Sequence, residues 1–306
     1  MTKNRANRRS AGRLMREIPL HLMLLPAVIV IFIFHYLPMF GIIMAFQKFN
    51  PIKSFAGSDW VGLANFRYVF NLPTFKTVFS NSFIIAFGKT VLDLFVPLLI
   101  ALLLNEVNIP FFKRASQTIY FLPFFLSWVV LGGVFREVFG LDGVINSVLY
   151  AITGKKIFFL ADGGWMRMVL FITNVWKNQG YHMIIYLAAI TNVDPGLYEA
   201  AAIDGCGKLR QCRHVTLPAI TPMIVLLATL SIGNILNAGF DQVFNLYNPL
   251  VYDSVDIIDT FVYRLGLVNR QYAVSAALGL FKSAISLVLV GASYYCAYRF
   301  SDYRIF

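Results

Sequence analysis

The chain has 306 residues, of which 58% are apolar and 13% charged. A soluble domain carries about 25% charged residues, so the composition sets aside an ordinary soluble protein and points to a membrane-embedded one. The net charge of +11 is read as basic residues at cytoplasmic ends beside anionic lipid, not as a nucleic-acid footprint.

A helix needs about 20 apolar residues to cross a bilayer, and six candidate spans follow in chain order. The first covers 19–46. It follows a basic tail, 1–18, with Lys3, Arg5, Arg8, Arg9, Arg13 and Arg16. Its apolar run is too long for a signal-peptide core and has no small-residue cleavage site nearby, so it is expected to remain as a spanning helix. The tail places the N-terminus inside. The second span covers 79–104, the third 116–139, the fourth 166–190, the fifth 217–240 and the sixth 272–300. Six crossings bring the C-terminus inside as well. The short inner loops carry Lys113, Arg114, Lys208, Arg210 and Arg213, which agrees with that orientation.

Three longer segments, 47–78, 140–165 and 241–271, are then outside. The first contains Trp60-Val61-Gly62-Leu63-Ala64-Asn65-Phe66, expected as a short helix on the outer surface. Residues 141–152 form another, with Asp142 as its cap and Gly154 as its stop. No linker or strong repeat divides the chain. One transmembrane domain, 19–306, is expected, with an inner loop at about 193–218.

That inner loop is the most informative segment. Asp194 is a good N-cap, Pro195 suits the first helical position, and Gly205 can take the left-handed conformation that ends a helix. A helix of about ten residues is written between them. A second short helix is expected over 208–216, and Pro218 falls near the first turn of the fifth span. Short helices are marginal alone and hold their shape by packing. Ala200, Ala201 and Ala202 beside Leu197 and Ile203 suit close approach to a partner groove. Glu199, Lys208, Arg210 and Arg213 suit charged contacts at its rim. The plainer alternative is an amphipathic loop helix with no partner.

The pattern Glu199-Ala200-Ala201, then Asp204-Gly205, then Val215-Thr216-Leu217-Pro218 resembles the coupling (EAA) loop of ATP-binding-cassette importer permeases of the type I class. Val215 stands where that family usually has Ile. Three further segments are similar to the carbohydrate-uptake, polysaccharide-type branch: Gln117 through Trp128, Asn245 through Tyr252, and Asp302-Tyr303. The resemblance extends over nearly the whole chain. It implies an all-α, polytopic permease with six transmembrane helices in a bacterial plasma membrane. It implies a translocation pathway for oligosaccharides or polysaccharide fragments. It also implies a second homologous permease, two ATP-binding subunits and an external or periplasmic sugar-binding protein. ATP and Mg would bind those ATPases and no cofactor would bind this chain. Glu199, Ala200, Ala201, Asp204, Gly205, Leu217 and Pro218 would couple the ATPase to the membrane helices.

Charged residues inside spans are costly and usually face a protein interior or cavity. Lys89 and Asp93 lie four apart and suit mutual neutralisation. The fourth span holds Trp176, Lys177, Asn178, Gln179, Tyr181 and His182. The fifth holds Asn234 and Asn237, with Asp241 and Gln242 at its outer end, and the sixth holds Lys282. Sugars are bound by polar side chains and aromatic faces, so Trp176, Lys177, Tyr181, Asn234, Asn237 and Asp241 are the candidate pathway residues. Interhelical hydrogen bonding is the alternative role for each. The three lysines would suit an anionic, uronate-containing sugar.

The chain has no nucleotide-hydrolysis motif. Gly88-Lys89-Thr90 looks like the end of a phosphate-binding loop, but Phe83 stands where glycine is required. The three cysteines show no CxxC spacing and the four histidines are scattered, so no disulfide framework or zinc site is expected. There is no GxSxG or HExxH, so the chain is not read as an enzyme. The competing functional reading is an ion-coupled secondary sugar transporter; a scaffold subunit or membrane enzyme is a third.

Overall fold

The computed structural model describes residues 18–233 and 235–301. The basic tail before residue 18, Asn234 and the segment from Asp302 onward lie outside the described residues. The fold is helical apart from a two-residue antiparallel ladder, in which Gln47 pairs with Trp60 and Lys48 with Asp59.

The first expected span is helix α1, Ile18–Phe46. It starts as α-helix and continues through a π turn and a 3-10 stretch, Leu37–Phe46. Most of its apolar side chains are exposed in the isolated chain, the pattern expected of a helix that faces lipid tails. After strands β1 (Gln47–Lys48) and β2 (Asp59–Trp60) comes α2, Ala64–Asn71. The outer-surface helix thus begins four residues later than Trp60, which belongs to the ladder. Helix α3, Pro73–Asn105, replaces the expected 79–104 with a longer helix that starts on a proline at its first turn.

The expected third span, 116–139, is not one helix. Helix α4, Pro110–Phe121, is followed by a 3-10 turn, Leu122–Phe125, and then by α5, Trp128–Phe139. The chain bends by 104° at this break. Pro123 lacks an amide donor, Leu126 and Ser127 are extended, and the Ser127 hydroxyl caps α5 by accepting from the Val130 amide.

Helix α6, Val144–Thr153, ends on Gly154 at φ +68°, as expected. Asp142 does not cap it. Its carboxylate accepts from Lys156 Nζ at 2.7 Å instead. That bond, with the lysine's charge, holds the Asp142 carboxyl below the ordinary carboxylate range.

Helix α7, Gly163–Thr191, covers the expected fourth span in one piece, capped by the Asp162 carboxylate on the Gly164 and Trp165 amides. Its 29 residues are long enough to cross, at about 1.5 Å each. It is too polar to qualify as a span by apolarity. Among the described residues, four helices do qualify: α1, α3, Lys208–Ile232 and Tyr272–Tyr295, with the bent α4–α5 pair as a fifth. Helix α8, Pro195–Ile203, and α9, Lys208–Gln211, fall in the segment expected as an inner loop. A π turn, Cys212–Thr216, joins α9 directly to α10, Leu217–Gly233. The expected second short helix is therefore the start of the next long one. Helix α10 stops well before residue 240, because 235–239 is not helical.

The segment 241–271 is not a surface loop. Its helices α11 (Phe240–Leu246), α12 (Tyr252–Val255) and α13 (Ile258–Tyr263) bury Val243, Leu246, Val255, Ile257 and Ile258 almost completely. They pack on α3 and α7 through Ile85, Ala86, Met166 and Leu170. A second core joins the other ends of α3 and α7 to α10, through Ala101, Leu104, Met183, Tyr186 and Ile220. Helix α14, Tyr272–Ser301, closes the bundle, with Leu278 buried against Val78 and Phe261.

Candidate functional site

Two features stand out from the packed bundle: a polar cavity between its central helices, and a short helix that stands off its inner end.

The cavity has a volume of about 610 Å³ and lies between α3, α7, α10 and the non-helical residues 235–239. That is within the range of roughly 300–1,000 Å³ common for small-molecule sites. Helix α7 presents Asn174, Asn178 and His182 to it. These are spaced four apart, so they share one face. The Asn178 amide donates to Asn174 Oδ1 at 3.0 Å. The Asn174 amide donates in turn to both oxygens of Asp93 on α3, at 2.9 and 3.0 Å. Lys89, one turn earlier on α3, also borders the space. The expected Lys89–Asp93 ion pair does not form among the described residues. Lys89 Nζ donates to the Ala238 carbonyl at 2.5 Å, across the break that follows α10.

Trp128, Tyr181, Thr90, Ser231, Asn237 and Gln242 complete the polar and aromatic lining. Gln242 is 1% exposed. Its amide donates to the Leu170 carbonyl and to the Thr173 hydroxyl, both at 2.7 Å, while its Oε1 has no partner within the protein. The Nδ1 of His182 is also buried, and the His182 ring has the Asn178 backbone as its neighbour one turn earlier on α7.

The six candidate pathway residues divide. Tyr181 and Asn237 line the cavity. Asn234 lies outside the described residues. Trp176 points away and packs edge-on against Phe135 at 5.6 Å. Asp241 is exposed at the start of α11 and does not border the cavity. Lys177 is buried behind the wall, where Nζ donates to the Phe124 carbonyl at 2.7 Å and lies near the rings of Phe124 and Trp128. Lys282 forms an ion pair with Asp259. Asn174, Thr90 and Trp128 line the cavity and are not among the six candidate pathway residues. The i, i+4, i+8 spacing of Asn174, Asn178 and His182 was the signal that would have drawn in Asn174.

At the inner end, both stops of α8 are formed as expected. The Asp194 carboxylate accepts from the Gly196 amide at 2.9 Å and Pro195 occupies the first turn. Gly205 has φ +76°. The Cys206 amide donates to the Ala201 carbonyl at 2.9 Å and the Gly205 amide to the Ala202 carbonyl at 3.0 Å, the pair of bonds that defines a Schellman end. Two side-chain contacts hold the loop to the bundle. Tyr198 shares a 2.9 Å hydrogen bond with the buried Thr216, and Lys208 pairs with Glu106 at the end of α3 at 3.1 Å. The rest of the loop projects. Ile203 is 88% exposed and Leu209 85%. Glu199, Ala200, Asp204, Gly205 and Pro218 are exposed as well, while Ala201 and Leu217 are half-buried.

Comparison with known proteins adds the context. Residues 94–305 match the family of binding-protein-dependent transport system inner membrane components. The polygalacturonan/rhamnogalacturonan transport system permease protein YteP of Bacillus subtilis is 41% identical over 305 residues, 99% of this chain and 95% of that one. Protein LplB of the same organism is 39% identical, over 96% of this chain and 92% of its own. Among solved structures, a chain of a bacterial ABC transporter involved in the import of the acidic polysaccharide alginate superposes with a TM-score of 0.89 and 34% identity, covering 96% of this chain and 99% of that one. A chain of an alginate ABC transporter in complex with an alginate pentasaccharide-bound periplasmic protein gives 0.88 and 32% at the same coverage.

Proposed function

This chain belongs to the family of binding-protein-dependent transport system inner membrane components, and from that premise we propose that it lines the path of an acidic oligosaccharide through an ATP-binding-cassette importer. It is a multi-pass permease of the carbohydrate type. Substrate, partners and orientation are the parts proposed here. The likeness to a polygalacturonan/rhamnogalacturonan permease and to an importer of the acidic polysaccharide alginate supports a uronate-containing substrate. The lining of the cavity supports a sugar: hydroxyl-binding amides and a carboxylate in the same lining as the aromatic residues Trp128 and Tyr181.

The observation that carries the coupling role is the capped helix α8, which keeps its shape yet leaves Ile203 bare at its end, with Leu209 bare on the following α9. An exposed apolar helix end held by two caps suits a cleft on another protein. That partner is a separate ATPase subunit, with ATP and Mg bound there. Glu199, Ala200, Ala201, Asp204, Gly205, Leu217 and Pro218 form the contact and its root. A π turn, Cys212–Thr216, continues the loop into α10 without a flexible joint. The continuous helix runs from Lys208 to the 235–239 break beside the cavity, and the Tyr198–Thr216 hydrogen bond ties α8 to it, so a push on α8 is carried to the cavity through that contact. A second, similar permease and an external sugar-binding protein complete the assembly. Both termini face the cytoplasm.

The test is affinity purification of the tagged chain from its host in mild detergent, with identification of what accompanies it. An ATPase and a second permease are expected with the wild type. The ATPase should be lost from a Gly205→Pro variant, since proline cannot take φ +76°. A chain that emerges alone, or a variant that keeps its ATPase, would sink the coupling role and favour ion-coupled transport.

A further inference from the structure

The lysines within the bundle differ in what surrounds them. Lys177 is enclosed by the Phe124 carbonyl and two aromatic rings. Lys282 is neutralised by Asp259. Lys89 alone among the lysines borders the 610 Å³ cavity, and it is the one cation in the lining among the described residues. It is 6% exposed. Its hydrogen-bond partner there is the neutral Ala238 carbonyl, although an ammonium has three donors.

A buried charge with a single neutral partner is poorly compensated. Asp93, the one anion in the lining, does not pair with it directly, and the Asn174 amide holds both of its oxygens. Gly239 keeps the approach to Lys89 open, since a side-chain carbon there would lie 2.9 Å from Nζ.

We infer that Lys89 sets the charge preference of the pathway: its ammonium takes the carboxylate of a uronate sugar ring as the ring passes through the cavity. The Asp93–Asn174–Asn178 chain takes ring hydroxyls. Asp93 lies one turn away without bonding to Lys89, and a substrate carboxylate supplies the hydrogen-bonded counter-charge, through a charge-assisted bond. A neutral sugar leaves the ammonium as it was. The inference rests on the carbohydrate reading above.

The experiment uses the whole transporter in cells. It compares uptake of trigalacturonate with uptake of its methyl ester, which has nearly the same shape and no charge. Because the sugar-binding protein is the same throughout, its own preference cancels when variants are compared with wild type. Lys89→Gln should lower kcat/KM for the acid by roughly 10- to 100-fold, the range for loss of one charge-assisted bond, and should lower it far less for the ester. Lys89→Arg should restore part of the loss. Lys177→Gln, which also removes a lysine from a helix break, should affect both sugars alike. Equal loss for acid and ester in Lys89→Gln would make the residue a structural cap and overturn the inference, as would no loss for either. A wild-type transporter that imports neither sugar would count against the acidic-carbohydrate reading itself.

Discussion

Removal of Asp256 should destabilise the part of the bundle built from α12 and α13 by several kcal/mol. Asp256 is 2% exposed and lies between α12 and α13. Its carboxylate accepts from Arg264 in a two-pronged contact, and from the Thr260 hydroxyl at 2.7 Å. The Arg264 guanidinium also lies over the Tyr252 ring at 4.4 Å. Breaking a buried pair by deleting one partner costs about 3–5 kcal/mol, because the other charge is left uncompensated. The Arg264 side chain is 24% exposed and keeps its ring contact, which lowers that term to about 2–3 kcal/mol. The lost threonine bond adds about 1 kcal/mol. Asp256→Ala should therefore cost about 3–4 kcal/mol, or roughly 6–16 °C in melting temperature at about 2–4 °C per kcal/mol. Thermal unfolding in detergent, followed by intrinsic fluorescence, measures it. The double variant Asp256→Leu with Arg264→Met should recover most of the loss, since no charge remains buried. If Asp256→Ala melts with the wild type, or the double variant is worse than the single one, the pair is not holding this region and the reasoning is wrong.

Two further outcomes follow from the packing and from the outer segment. At Gly180 a β-carbon would sit 2.1 Å from the Tyr120 carbonyl oxygen and 2.6 Å from the Phe121 Cα. Gly180→Ala should cost at least about 1–3 kcal/mol, because backbone rather than side chain must move. Gly133→Ala, with nothing within 4 Å, should lie close to wild type, and a comparison of the two melting curves decides the matter. Burial, reinforced by Tyr252, pushes the Tyr247 phenol up to about 12. Its folded pKa is raised, so its contribution is complete below the unfolded value of about 10 and is lost as pH rises through 12. Between pH 9 and 11 the wild type should therefore lose more stability than Tyr247→Phe, and equal losses would remove Tyr247 from the account.

Much of the fold was legible because apolar length and capping are local. Asp194, Pro195 and Gly205 set the ends of α8, and the structure forms both of them as short-range chemistry dictates. The five apolar segments announced themselves by length. The third span was misjudged because hydropathy continues across Leu122, Pro123 and Leu126 while the helix does not. The fifth was extended too far because Ile235 and Leu236 are apolar and yet non-helical. The site was legible as residue types and only partly as positions. Trp176 and Lys177 adjoin Asn174 and Asn178 in sequence, but a helix turns about 100° per residue. Trp176 meets Phe135 and Lys177 meets the α4–α5 bend, while Asn174 and Asn178 face the cavity. Which face of α7 met α3 depended on packing that no local pattern records.

The two misjudged helices share one device. A break inside a membrane bundle frees backbone carbonyls that lipid cannot satisfy, and each must find a donor inside the protein. At the α4–α5 bend the donor is Lys177, on the Phe124 carbonyl; after α10 it is Lys89, on the Ala238 carbonyl. A lysine suits this work because its long apolar stem crosses the packed interior and its ammonium strengthens the bond. Intramembrane charge thus has a structural use here before it has a functional one. What separates the two lysines is the neighbourhood of the break: aromatic rings close over Lys177, whereas the space beside Lys89 stays open and polar. The polarity that keeps α7 from passing as a membrane span has the same origin. Its Asn174, Asn178 and His182 face that space instead of lipid, so the polarity of this 29-residue helix marks the cavity and is compatible with a crossing.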